Sequence, residues 1–175
     1  MRTVMTLEDE RLQFFSHLGK ALDEWTQVEN HLCFIFMVTL RAPHLRAAAA
    51  FYAVENFRSK LGMVHAVVRL AKLNAAKMAE WEALRKRIDN KSRARNELAH
   101  YQVLEDPDAK PGKRLALRPA LLDPHSPSVF QADGPRVLHL KELRERQAAF
   151  RKLADDAGRL YRDLCKLLGM PPNSP

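Results

Sequence analysis

The sequence has few cysteines and lacks any long uninterrupted apolar segment. Its two cysteines, Cys33 and Cys165, lie in apolar stretches of helical character, which excludes a disulfide framework and a C-x-x-C zinc pattern. We therefore expect two buried free thiols in a reducing compartment. No stretch approaches the roughly 18 apolar residues of a membrane helix, and the N-terminus becomes acidic before a signal-peptide core could develop. These absences predict a cytoplasmic protein without a membrane partner.

Proline is scarce in the first 104 residues, where only Pro43 occurs. Six prolines then fall between positions 107 and 135, and three more stand at 171, 172 and 175. Because proline blocks helix interiors, this distribution predicts long helices, then an irregular insertion over about 105–139, a last helix and a frayed tail over 171–175. A chain of 175 residues suffices for one domain, which we place at 1–170.

Apolar residues recur at spacings of three and four over four segments, which is the helical period. The segments run from about 7 to 41, from Pro43 to about 74, from Met78 to about 103 and from Leu143 to Leu168. The first carries the stripe Leu12, Phe15, Leu18, Leu22, Trp25, Leu32 and Ile35. We therefore predict an all-α antiparallel bundle of four to five helices. Within the insertion, 114–119 and 136–140 could form two short strands of a hairpin.

Positive charge is in excess, with 29 Lys and Arg against 21 Asp and Glu and a formal net charge of +8. This balance favours an anionic partner, with nucleic acid ahead of a membrane surface. The densest basic run lies on the third helix and comprises Arg85, Lys86, Arg87, Lys91 and Arg93. Because no aromatic residue lies in this run to stack on bases, we interpret it as an RNA-binding surface that contacts the phosphate backbone.

The third helix also places a charge where its apolar stripe would face the bundle. After Ile88, the same face continues with Lys91 or Ser92 and then with Arg95. Burying an unpaired charge is costly. Either the end of this helix therefore turns out of the core, or Arg95 lies in a polar cleft, and the sequence leaves both interpretations open.

The basic run closes on Arg95-Asn96-Glu97-Leu98-Ala99-His100. This R-N-x-x-x-H sequence at the end of a long helix resembles the signature of the HEPN superfamily (higher eukaryotes and prokaryotes nucleotide-binding). The resemblance implies a bundle of four or five helices, usually in a homodimer, whose two motif copies meet across the two-fold axis and cut RNA without a metal. It implies Arg95 and His100 as the catalytic pair, with Asn96 as the polar residue that follows the arginine.

These side chains have chemistry that is compatible with such a role. A histidine can act as general base or acid near neutral pH, and an arginine binds phosphate oxygens through a permanent charge. Arg95 and His100 are i and i+5 on a helix, about 140° apart, so one copy does not place them side by side. Asn96 and His100 share a face, where Asn96 could orient the imidazole. The spacing therefore favours a composite cleft formed by two copies.

Two further residues are candidates for supporting this site. Glu29 lies on the stripe of the first helix, where its carboxylate could hold Arg95, tune His100 or form a plain structural ion pair. Tyr101 directly follows the histidine. In the HEPN toxins that pair with a nucleotidyltransferase antitoxin, the tyrosine stands one position later, where this chain has Gln102.

The resulting prediction is a metal-independent endoribonuclease acting at a homodimer cleft in toxin or defence biology, with an antitoxin or regulatory protein as a further partner. The alternative is a non-catalytic HEPN-like module that binds a nucleotide, RNA or protein. No cofactor is predicted. Glu97 and His100 form an E-x-x-H pair, but no other histidine has a carboxylate three residues before it, so no di-iron or other metal site is predicted either.

Overall fold

A computed structural model of the chain describes residues 5–119 and 137–170. Its elements, in chain order, are α1 (Leu7–Leu40), α2 (His44–Ala53), α3 (Phe57–Leu70), α4 (Ala75–His100), β1 (Gln102–Glu105), β2 (Leu115–Arg118) and α5 (Leu140–Leu168). The predicted fold class is confirmed, since the described residues form an all-α helical bundle with a short hairpin. Within the described ranges, none of the helices combines the length and the apolar character that crossing a membrane requires.

The second predicted helix is in fact two helices, α2 and α3. Val54 ends α2 in an extended conformation, and the side chain of Asn56 accepts a hydrogen bond from Ser59 N at 3.2 Å. Asparagine is a strong N-cap because its side chain satisfies a backbone amide that the first helical turn leaves free. The prediction of one continuous helix was therefore wrong, because the apolar period continues across a break that only the capping residue marks.

The third predicted helix ends at His100, and the residues that follow it form β1 rather than a further helical turn. β1 pairs antiparallel with β2, from Gln102 opposite Arg118 to Glu105 opposite Leu115. The strand predicted over 114–119 is thus confirmed, but its full-length partner is β1 and not the predicted segment 136–140. Of the other candidate strand, Leu138 forms only an isolated bridge with Leu117. The next residue, His139, donates its amide to the Glu142 side chain at 2.9 Å and so begins α5.

The described residues form two compact units, to each of which α1, α4 and α5 contribute residues. The first unit comprises 5–24, 93–119 and 137–150, and its core includes Phe14, Ala21, Leu98, Leu115, Leu117, Leu138, Leu143 and Phe150. The second comprises 25–92 and 151–170, and its core includes Trp25, Leu32, Ile35, Phe51, Val64, Trp81, Ile88 and Leu164. The single domain over 1–170 stays a prediction. The tail 171–175 and residues 120–136 of the insertion lie outside the described residues.

Both cysteines are buried and unpaired, as predicted. Cys33 lies on α1 in the second unit, and burial raises the pKa of its thiol to about 11. A thiol with a raised pKa carries little thiolate at neutral pH. Cys33 is therefore a packing residue and not a reactive nucleophile.

The buried face of α1 differs from the predicted stripe at the start of the helix. Leu12 and Phe15 are 71% and 52% exposed, whereas Glu10 and Phe14 are fully buried. The hairpin loop (residues 106–114) meets α1 at Glu10, whose carboxylate accepts hydrogen bonds from the amides of Gly112 at 2.8 Å and Arg114 at 2.9 Å. The apolar spacing predicted that Leu12 and Phe15 face the core. It could not show that the hairpin loop buries the polar side chain of Glu10 instead.

Replacing Glu10 with glutamine should destabilise the first unit by about 1–3 kcal/mol, because the amide group of glutamine cannot accept from both loop amides. Urea unfolding followed by circular dichroism measures this loss, and proteolysis within 106–114 should accelerate with it. Glu8→Gln is the matched control on the same helix, since Glu8 forms an exposed ion pair with Arg11. Equal stability of the two variants would contradict a fastening role for Glu10.

Candidate functional site

The six-residue motif occupies the last turns of α4 in the first unit. Asn96 and His100 are exposed and Arg95 is half-buried. Glu97 and Leu98, between them, are buried. The motif therefore has two sides. Its solvent side carries the three polar residues that the resemblance implies, and its core side carries Glu97 and Leu98.

The buried acid of the motif has a buried partner on α5. The Arg146 guanidinium is ion-paired with the Glu97 carboxylate through Nη2, and both residues are 8% exposed. Through Nη1 it also donates to the carbonyl oxygen of Ala94 at 2.7 Å. Arg146 thus binds α4 on both sides of Arg95 in sequence. This contact fixes the rotation of the motif turn about the helix axis, because the carbonyl and the carboxylate must both meet one planar guanidinium.

The arginine of the motif contacts the residue that follows it. Arg95 Nη1 donates to Asn96 Oδ1 at 3.2 Å, so the asparagine oxygen holds the guanidinium at the helix surface. Among the described residues, no hydrogen bond joins Asn96 to His100. The interpretation that Asn96 orients the imidazole therefore stays a prediction, and the contact that the structure gives its oxygen is the one to Arg95.

The basic run on α4 lies mostly in ion pairs. In the second unit, Arg85 pairs with Glu82 at 3.0 Å, and Arg87 pairs with Asp156 of α5 at 2.8 Å. In the first unit, Arg93 pairs more loosely with Glu97 at 3.7 Å. Lys86 and Lys91 are exposed. The charge that the sequence placed on this helix is thus partly balanced by carboxylates, which lowers its capacity to attract phosphate.

Glu29 is half-buried on α1 in the second unit. Its carboxylate is ion-paired with Lys60 Nζ at 3.4 Å and accepts from Trp25 Nε1 at 3.0 Å. The same ammonium lies over the rings of Phe51 and Tyr52, 5.3 Å from each centroid. Glu29 therefore forms a structural ion pair inside its own unit, and its role in the motif stays a prediction.

The end of α4 is tied to the hairpin that follows it. Tyr101 donates its amide to the Glu97 carbonyl at 3.0 Å, and β1 begins at the next residue. At the end of β1, the guanidinium of Arg11 on α1 donates to both carboxylate oxygens of Glu105, through Nε at 2.8 Å and Nη2 at 2.6 Å. These hydrogen bonds hold the pKa of Glu105 below its ordinary value. The half-buried Tyr101 thus has a backbone role, and its phenol stays a candidate.

No family model, curated protein or solved structure matches the chain. The HEPN assignment stays a prediction from the motif and its place on α4. Over residues 5–119 and 137–170, no three His, Cys, Asp or Glu side chains are grouped so that they could hold a metal ion.

Arg146 is the residue of this site that the sequence reasoning missed. It stands three residues after Leu143 and four before Phe150, both of which are fully buried on α5. A charge at that spacing falls on the apolar face of the helix. The sequence therefore did indicate an unusual position, because Arg146 is a basic residue on the apolar face of α5. Its acidic partner, Glu97, could be identified only from the fold.

Proposed function

We propose that this chain is a metal-independent endoribonuclease of the HEPN type, with Arg95 and His100 as its catalytic residues. The division of the motif carries the proposal. Arg95, Asn96 and His100 lie wholly or partly at the surface, whereas Glu97 is buried against Arg146. An exposed carboxylate would repel a phosphodiester. With Glu97 buried in its ion pair, the surface of the motif is cationic or neutral, as an RNA substrate requires.

In the proposed reaction, the imidazole of one His100 removes the proton of a ribose 2′-hydroxyl, and that oxygen bonds to the neighbouring phosphorus. The bond from phosphorus to the 5′-oxygen breaks, and this oxygen takes up the proton that the same His100 has accepted, which returns the imidazole to its starting state. Arg95 donates to the nonbridging oxygens, on which negative charge increases in the transition state. The products are a 2′,3′-cyclic phosphate and a 5′-hydroxyl.

The proposed enzyme is a homodimer. Arg95 and His100 are five positions apart on α4, so their side chains leave the helix about 140° apart. A two-fold axis near the end of α4 would bring the arginine of one copy toward the histidine of the other. The fixed rotation of the motif turn, set by Arg146, would then apply to both copies equally.

The proposed substrate suggests a biological setting. An endoribonuclease that acts on cellular RNA damages its own cell unless it is held inactive, so we place the protein in toxin or defence biology with an antitoxin or regulatory protein as partner. RNA in the cytoplasm is the accessible substrate there. Two buried free thiols suit that compartment.

The purified protein should cleave a fluorescein-labelled single-stranded RNA in buffer that contains EDTA, with products ending in a 2′,3′-cyclic phosphate. Denaturing gel electrophoresis and mass spectrometry of the fragments measure both results. Chelation should leave the rate unchanged, because every role in the proposed reaction belongs to a side chain. Cleavage that depends on added Mg²⁺ or Mn²⁺, or that leaves a 5′-phosphate, would overturn the proposal.

A non-catalytic HEPN-like module would give a different outcome in the same experiment. Such a protein would bind the labelled RNA with salt-sensitive affinity and leave it intact under every condition tested. Binding without cleavage over varied RNA sequences would therefore favour the alternative function.

A further inference from the structure

One side of α5 in the second unit is almost entirely cationic. Its exposed residues are Arg151, Lys152, Asp155, Arg159, Arg162 and Lys166. At about 100° per residue these six positions fall within an arc of about 100°, and no other α5 residue of this unit lies inside it. The α5 face, as we name these six residues, carries five positive charges and one negative charge along about 22 Å of helix.

The carboxylates at the edge of the α5 face are already occupied. Asp156 pairs with Arg87 of α4 at 2.8 Å, and Asp163 pairs with Lys77 of α4 at 2.6 Å. The cations of α4 thus serve as internal counterions for α5. Of the α5 face, Arg159 shares Asp156 at 3.2 Å. Within the described part of the chain, no carboxylate forms an ion pair with Lys152, Arg162 or Lys166.

From this arrangement we infer that the α5 face, rather than the basic run on α4, binds the RNA backbone. The inference rests on the proposed function, from which it takes RNA as the substrate, and it adds the surface that binds this RNA. A row of cations spaced by one or two helical turns complements a polyphosphate chain, whose affinity comes from counterion release. Because the α5 face contains no aromatic residue for stacking, it reads the backbone and not the sequence of bases.

The composition of the α5 face separates RNA from other anionic partners. Surfaces that bind proteins have aromatic or aliphatic anchors at their centre, and helices that lie on membranes insert a row of large apolar residues. The α5 face has neither. The nearest exposed large apolar residue on this helix is Leu167, which lies about 60° outside the arc.

The test compares two triple variants that remove equal charge from the second unit. Lys152→Gln/Arg162→Gln/Lys166→Gln changes the α5 face, and Arg58→Gln/Arg69→Gln/Lys72→Gln changes exposed residues on and after α3. Each is made in a His100→Ala background so that RNA stays intact. Affinity for a labelled single-stranded RNA is measured by fluorescence anisotropy at several salt concentrations, and circular dichroism confirms that both variants are folded.

The α5 variant should bind about 100-fold more weakly at about 0.1 M salt, because three contacts each contribute about 0.7 to the logarithmic salt slope. That slope should fall by about 2. The α3 control should lose less than about 3-fold, since screening limits distant charges. Lys86→Gln/Lys91→Gln should likewise change affinity little, which tests the α4 interpretation directly.

Equal losses in the α5 and α3 variants would overturn the inference, because net charge alone would then account for binding. So would a larger loss in the α4 variant, or tighter binding of the α5 face to phosphatidylserine vesicles than to RNA. The two proposals can fail separately. If the α5 variant loses RNA affinity but the unmodified protein never cuts RNA, RNA binding at the α5 face is supported and the proposed catalysis is contradicted. If RNA is cut while the α5 variant binds RNA normally, the proposed catalysis is supported and RNA binding at the α5 face is contradicted.

Discussion

His100→Ala is expected to lower the rate of RNA cleavage by about 100- to 10,000-fold, the range that general acid–base groups contribute. His100 is exposed as the last residue of α4, so its loss should change the free energy of unfolding by no more than about 0.5 kcal/mol. Single-turnover cleavage of labelled RNA measures the rate, and urea unfolding measures the stability. His44→Ala, which changes another exposed histidine, is the matched control and should keep full activity.

The composite geometry makes a second result available from the same variants. Arg95→Ala and His100→Ala should each be inactive alone, but a mixture that exchanges subunits should recover part of the activity. In the mixed dimer one cleft receives an intact Arg95 from one copy and an intact His100 from the other. Cleavage that survives in the His100→Ala protein, or mixtures that stay inactive although subunits exchange, would contradict the assignment.

Arg146→Met should destabilise the protein by about 3 kcal/mol, because it leaves the buried Glu97 carboxylate with only the loose contact to the exposed Arg93 at 3.7 Å as an ion pair. The Ala94 carbonyl also loses its donor. Replacing both members, as in Arg146→Met/Glu97→Leu, should cost much less than the single change, since apolar side chains of similar volume do not leave an uncompensated charge. Urea unfolding of the three proteins measures the difference.

Lys141→Met is the matched control for this series, since Lys141 is exposed on the same helix. It should change the free energy of unfolding by less than about 0.5 kcal/mol. A single Arg146 variant no less stable than its double variant would show that the ion pair contributes nothing beyond packing. The rotation of the motif turn would then need another cause.

The helices and their order could be predicted from the sequence because long apolar stripes with a period near 3.6 are typical of amphipathic helices and of little else. The stripes did not reveal where one helix ends and the next begins. The break between α2 and α3 depends on one asparagine side chain, Asn56, which accepts a single amide hydrogen bond. Such a signal is local and weak beside a stripe that continues in phase on both sides.

The hairpin illustrates a different limit. The residues of β2 were recognisable as a strand, but the choice of partner depends on what else each candidate segment does. The Glu142 side chain accepts a hydrogen bond from the His139 amide and α5 begins at the next residue, so this segment pairs with β2 only through the bridge at Leu138. Gln102–Glu105 pairs with β2 along its full length. Pairing is a property of two segments at once, and a one-dimensional pattern does not contain it.

In the candidate site, the sequence allowed residues to be proposed but not their contacts to be predicted. Arg95, Asn96 and His100 could be selected because the motif is contiguous and helix geometry predicts their relative directions. The ion pair of Arg146 with Glu97 joins residues that are distant in sequence, and the basic run could not be known to lie against carboxylates of α5. Electrostatic surfaces depend on which charges are paired, and pairing is decided by tertiary structure.

The hairpin directly after His100 also affects the entropy of the proposed reaction. The last residue of a helix ordinarily frays, so a side chain placed there samples many positions. Here β1 begins two residues later, and its strand is paired along its full length with β2. The freedom of His100 is therefore reduced when the chain folds and not when RNA binds. A rigid backbone at this point lets substrate affinity go into holding the ribose and phosphate, because little of it is needed to order the enzyme.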